Sequence, residues 1–198
     1  MSTARSMRRS KAFNLANLLT YGRLAAVPAV VGLLFWPEDH WSRWFALAIF
    51  AVAAITDYLD GYVARTYAQG SALGRMLDPI ADKLLVAACL LMLVADKTIQ
   101  SWDIWAAIVI LCREILVSGL REFLAELKVG VPVSRVAKWK TTFQLLSLGF
   151  LIAGPAGETV LPGNVMIGRI LLWGSALLTL YTGWDYLKTG LKHLVDEE

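Results

Sequence analysis

The stretch Asp57-YLDGYVARTYAQGSALGRMLDPIA-Asp82 sets four carboxylates, Asp57, Asp60, Asp78 and Asp82, in strongly apolar sequence. It begins and ends inside long hydrophobic runs. An acidic side chain near membrane depth costs a few kcal/mol or more, so such residues usually mark a functional site. Four carboxylates held together repel one another unless cations compensate them. The stretch therefore asks for metal, and for a reason to hold metal at a membrane.

Composition supports that setting. Of 198 residues, 57% are apolar and 18% charged, and the mean hydropathy is +0.56. These values point to an integral membrane protein rather than a soluble domain; the fold class expected is all-α. Six apolar segments can be drawn, at about 17–36, 43–65, 77–95, 104–126, 139–154 and 165–187, each near the length of roughly 20 residues that spans a bilayer. The fifth is the weakest, because Pro155 and Gly157 cut it short. Residues 1–16 form a basic leader (Arg5, Arg8, Arg9, Lys11) ahead of a long apolar run without a convincing cleavage site, which reads as a retained anchor. The whole chain is expected to be one membrane domain. Cys89 and Cys112 lie in apolar runs without metal-ligand spacing, and are expected to be buried free thiols.

Positive charge sets the orientation. The N-terminus, the 65–76 connection (Arg65, Arg75), the 127–140 connection (Lys128, Arg135, Lys138, Lys140) and the tail (Lys188, Lys192) are basic. Segments 37–42 and 155–164 carry no Lys or Arg, and 96–103 carries only Lys97. Both termini are therefore expected in the cytoplasm. Trp36, Trp41, Trp44, Trp102 and Trp105 then gather at the outer interface as plain anchors.

On this topology Asp57, Asp60, Gly61 and Ala64 share one face of the second helix. Gly74, Asp78 and Asp82 repeat at four and give the third helix a matching face. A short connection makes the two helices antiparallel neighbours, so both acidic faces converge just inside the cytoplasmic boundary. Pro79 fits if the third helix starts near Leu77, in its first turn. Four carboxylates form a hard-oxygen site suited to Mg²⁺ or Mn²⁺, and two ions about 3.5–4 Å apart are the familiar arrangement for phosphoryl chemistry. Gly61 and Gly74 leave room at the backbone, and Arg65 can fork onto phosphate oxygens. Taken singly, each aspartate reads as an interfacial residue; the spacing of all four argues for a pyrophosphate pocket.

At Asp57, Asp60, Gly61, Ala64, Arg65, Gly74, Asp78 and Asp82 the chain resembles the CDP-alcohol phosphotransferase family position for position. The resemblance implies a six-helix membrane fold, usually a homodimer, that displaces CMP from a CDP-linked lipid by a second alcohol. It implies divalent metal on Asp57, Asp60, Asp78 and Asp82, with Asp82 also the base that activates the acceptor hydroxyl. Gly61, Ala64, Arg65 and Gly74 would border the CDP-diacylglycerol. A plasma-membrane, multi-pass bacterial enzyme with a cytoplasmic site follows, with membrane lipids around it and no nucleic-acid partner. The chain lacks the His-x-Lys pairing of phospholipase-D-like synthases: His40 and His193 fall in an expected loop and tail, with no lysine two residues on.

Outside that motif, Asn14-LANLLTYGR-Leu24, Cys112-REILVSGLREFLAE-Leu127 and the stretch from Val133 to Leu145 resemble the phosphatidylglycerophosphate synthase branch. That branch implies sn-glycerol 3-phosphate as acceptor. Asn17, Thr20 and Arg23 share a supporting face of helix one. Arg113 and Arg121 lie on similar sides of helix four, and Lys138 and Lys140 stand at the entrance of helix five; such cations could hold the acceptor phosphate. The plainer readings are positive-inside anchoring for the lysines and pairing of Arg113 with Glu114 or Asp103. Inositol phosphate or phosphatidylglycerol remain rival acceptors. A cation or proton transporter is the rival of another class, but it calls for acidic residues spread over several spans and the outer half.

Overall fold

A computed structural model describes residues 15–36, 38–67, 72–126 and 135–195. Every regular element among them is an α-helix: α1 Leu15–Leu34, α2 His40–Tyr67, α3 Ala72–Ala95, α4 Asp103–Glu126, α5 Arg135–Glu158 and α6 Asn164–Val195. Each coincides in large part with one of the six expected apolar segments, so the all-α expectation holds. Among the described residues, Asn164–Lys188 is long and apolar enough to cross a membrane, at mean hydropathy 1.5, and Leu18–Leu34 is apolar but shorter.

Local chemistry explains the boundaries. The Asp39 carboxylate caps α2 by accepting from the backbone N–H of Trp41 and Ser42, both at 3.2 Å, and from Ser42 Oγ at 2.8 Å. The Ser42 hydroxyl, with those amides, holds the Asp39 carboxyl below its ordinary range. His40 is thus the first residue of a helix rather than part of a loop, and His193 lies in α6 rather than in a tail. Helix α3 begins at Ala72, so Pro79 sits inside it and not in its first turn. The missing N–H removes one ladder bond, while Lys83 Nζ donates to the Pro79 carbonyl at 2.9 Å.

Two compact units divide the chain, Met1–Met92 and Leu93–Glu198. In the first, α1 packs on α2 around Val30, Leu34, Ala46 and Phe50, and α3 adds Ala81, Leu85 and the buried thiol Cys89. In the second, α6 packs against both α4 and α5. Gly168 makes the α5–α6 approach possible: a Cβ there would lie 2.8 Å from Leu151 Cγ. Ser147 Oγ adds a hydrogen bond to the Gly168 carbonyl at 2.8 Å. Cys112 is exposed, contrary to its expected burial, because it lies on an outward face of α4. Trp36, Trp41, Trp102 and Trp105 are also exposed.

The fifth helix is kinked rather than cut short. Gly154 adopts φ 47° and ψ −131°, a conformation glycine tolerates, and Pro155 follows with no N–H to donate. Asn164 Nδ2 reaches back to the carbonyls of Phe150 (2.8 Å) and Gly154 (3.0 Å). Its amide fills the space a side chain at Gly157 would need. Glu158 closes the turn, accepting from the N–H of Gly163 at 2.7 Å and Val165 at 2.8 Å. The Val165 amide, then Gly163 and Asn164, hold the Glu158 carboxyl below its ordinary range.

Candidate active site

In the first unit three of the four aspartates, Asp57, Asp78 and Asp82, meet. Arg23, on α1, places one guanidinium among carboxylates from two other helices. Its Nη1 lies 2.6 Å from Asp57 Oδ1 on α2 and also pairs with Asp82 Oδ1 on α3, while Nη2 lies 3.5 Å from Asp78 Oδ1. Thr20, one turn before Arg23, donates its hydroxyl to Asp78 Oδ1. The helix arithmetic that put Asp57 on one face and Asp78 with Asp82 on another thus yields one cluster. What it omitted is the cation that joins them, since Arg23 is 34 residues from Asp57 and 59 from Asp82.

Exposure in the cluster is lopsided. The Arg23 side chain is 2% exposed, whereas those of Asp57, Asp78 and Asp82 are 44%, 44% and 42% exposed. The guanidinium lies beneath and the carboxylates open outward. The backbones of Asn17, Asp60, Gly61, Ala64, Arg65, Gly74 and Lys138 belong to their helices; their side chains and surroundings lie outside the described ones. Among the described residues no three acidic, His or Cys side chains are set to hold a metal as they stand. The donor set still fits a hard divalent ion: oxygen-only, anionic, and already gathered about a positive charge.

Beside this cluster runs a groove of about 530 Å³ between α1 and α2, lined by Gly22, Ala25, Ala29, Ala48, Val52 and others, with Arg23 and Thr56 also in its wall. A Cβ on Gly22 would meet nothing within 4 Å. Small residues on facing turns leave the trough open, and its polar wall adjoins Asp57.

The second unit holds a cluster of opposite sign. Arg113 and Arg121 of α4 both face the Tyr186 ring of α6, their guanidinium carbons 6.0 and 5.7 Å from its centroid. Arg121 Nη2 donates to the Tyr186 hydroxyl at 3.2 Å, and Arg113 Nη2 to Thr182 Oγ1 at 3.0 Å. Lys140 of α5 is buried and pairs with Glu114, whose Oε1 also lies 3.4 Å from Arg113 Nη1. The alternative partner for Arg113, Asp103, instead pairs with Arg169 at 3.2 Å and accepts from Trp173 Nε1 at 2.9 Å. Lys140 is thus paired within the second unit. Neither Tyr186 nor Thr182 carried a local signal in sequence; only docking of α6 on α4 brings them to the arginines.

With the acidic pattern, the six helices and this cluster in view, the chain's family is plain. It belongs to the CDP-alcohol phosphatidyltransferase family, whose model matches residues 13–181. Its relatives include proteins named CDP-diacylglycerol–glycerol-3-phosphate 3-phosphatidyltransferase. That of Rickettsia bellii (strain RML369-C) is 44% identical over 180 residues, covering 91% of this chain and 97% of the relative. That of Escherichia coli (strain K12) is 37% identical over 190 residues, with 93% and 99% covered. That of Cereibacter sphaeroides is 36% identical over 219 residues, with 94% and 99% covered.

Proposed function

We infer that this chain transfers a phosphatidyl group from CDP-diacylglycerol to sn-glycerol 3-phosphate, releasing CMP and phosphatidylglycerophosphate. The observation that carries the reading is near full-length similarity to enzymes named for that reaction, joined to a convergent aspartate cluster. Asp82 takes the proton from the acceptor hydroxyl, whose oxygen bonds to the β-phosphorus as the bond to the CMP oxygen breaks. Asp57, Asp60, Asp78 and Asp82 would hold Mg²⁺ or Mn²⁺, two ions in the fullest arrangement. Such metal would offset charge on the phosphates and the leaving CMP. Positioning and electrostatics carry most of phosphoryl transfer, and no covalent intermediate is needed.

Gly61, Ala64, Arg65 and Gly74 border the CDP moiety. The α1–α2 groove suits an acyl chain, since its walls are apolar and it adjoins the acidic cluster. Arg113, Arg121, Lys138 and Lys140 hold the acceptor phosphate. Residues 1–198 act as one membrane domain in the plasma membrane of a bacterium. Six helices span it, with both termini and the site on the cytoplasmic side, and the enzyme works as a homodimer. Exposed Trp36, Trp41, Trp102 and Trp105 support an interfacial belt at the opposite side.

The test is CMP release by the full-length chain in reconstituted membranes containing CDP-diacylglycerol, with Mg²⁺ or Mn²⁺ and one acceptor at a time. Release that depends on glycerol 3-phosphate is the expected result. Release only with inositol phosphate or phosphatidylglycerol would move the acceptor, and none with any acceptor would sink the transferase reading.

A further inference from the structure

Among the described residues, Arg23 is 2% exposed and touches Asp57, Asp78 and Asp82 together. Each of those pairings uses a carboxylate Oδ1, and so does the Thr20 hydrogen bond to Asp78. These are lone pairs that a divalent ion also needs. We propose that Arg23 is a resident counter-cation: it holds the three carboxylates together in the metal-free enzyme and gives up its pairing, at Asp82 above all, when metal arrives. Arg23 is thus a positioning residue acting through the aspartates. The proposal rests on the metal reading given above.

Three features favour displacement over coexistence. A guanidinium and a divalent ion sharing the same oxygens are like charges at contact range. The carboxylates face outward while Arg23 lies beneath, so an ion can approach from the open side as the guanidinium withdraws. Arg23 also borders the α1–α2 groove, so its side chain is not closed in by packing on that side. The consequence is an ordered event: Asp82 is tied to the guanidinium until metal reaches the site, and the metal then takes over the oxygen that Arg23 releases.

The test measures Mn²⁺ binding by the full-length chain in detergent, from the loss of the free-ion paramagnetic resonance signal, with thermal melting in excess chelator as a second readout. Removing a counter-ion leaves uncompensated carboxylates, so Arg23→Gln is expected to bind Mn²⁺ about tenfold more tightly and to melt at lower temperature without metal. Arg23→Lys keeps the charge but not the fork, and should fall between wild type and Arg23→Gln in both readouts. It decides the matter if the glutamine variant does not fold. Unchanged or weaker Mn²⁺ binding in the variants would overturn the proposal and make Arg23 a support for the bound ion. No Mn²⁺ binding by the wild-type chain would instead remove the metal site itself.

Discussion

Glu114→Gln tests the basic cluster at the acidic residue that pairs with its cations. Glu114 Oε1 pairs with Lys140 Nζ and lies 3.4 Å from Arg113 Nη1, in surroundings where the Lys140 and Arg113 side chains are only 8% and 12% exposed. Glutamine keeps the shape and removes the charge. Breaking a fully buried pair costs about 3–5 kcal/mol. Glu114 retains 18% exposure, so about 2–3 kcal/mol is the expected loss after allowing for solvent screening. At roughly 2–4 °C per kcal/mol for a chain of this size, melting should fall by roughly 5–10 °C. The compensating anion then has to come from outside. A ligand at about 100 times its dissociation constant restores roughly 2.7 kcal/mol, so saturating glycerol 3-phosphate should recover most of the loss. The assay is thermal unfolding in detergent with and without glycerol 3-phosphate, using neutral glycerol as control. A variant that melts like wild type would refute the pairing. One that glycerol 3-phosphate stabilises no more than wild type would refute the phosphate role of these cations.

Three further outcomes are expected. Asp82→Asn should lower turnover by about 100-fold or more, as loss of a general base does, with CDP-diacylglycerol binding largely retained by equilibrium measurement; unchanged turnover would exclude the base role. Because the Glu158 carboxyl is held below its ordinary value of 4.5, its contribution is present above that pH and is lost as pH falls through the lower folded value. Glu158→Gln should therefore flatten the acid limb of a stability–pH profile below about pH 4.5, and an unaltered limb would remove Glu158 as its source. Gly168→Ala gains about 1 kcal/mol of helix propensity but overpacks at about 1–3 kcal/mol, since Leu151 is fully buried. A net loss of about 1 kcal/mol in melting is expected, and a stabilised variant would mean that the α5–α6 approach is looser than described.

Helix positions were legible because long apolar runs and the turn residues between them are local signals. The meeting of Asp57 with Asp78 and Asp82 was legible too, because residues three and four apart share a helix face and a short connection brings the faces together. Pro79 misled: its fixed φ suits a first helical turn, yet the helix extends a further two turns toward its N-terminus and absorbs the lost hydrogen bond. The pairings of Arg23, Glu114 and Tyr186 were hidden for another reason. Each depends on which helix docks on which, and at what rotation, and periodicity within one helix carries neither.

Those hidden pairings have a common form. The acidic cluster is joined by one buried arginine, and the basic cluster is joined by one glutamate. On the proposed reading, each internal counter-ion stands where a ligand of its own sign would bind: Arg23 for a divalent cation, Glu114 for a phosphate. Removing either should therefore destabilise the ligand-free chain and strengthen binding of one ligand only. Arg23→Gln should tighten Mn²⁺ and leave glycerol 3-phosphate stabilisation unchanged, and Glu114→Gln should do the reverse. A general loss of packing cannot give that crossed pattern, because it weakens both ligands together. If both variants lose both ligands, the paired charges are structural supports, and displacement of internal ions is not how this enzyme admits its substrates.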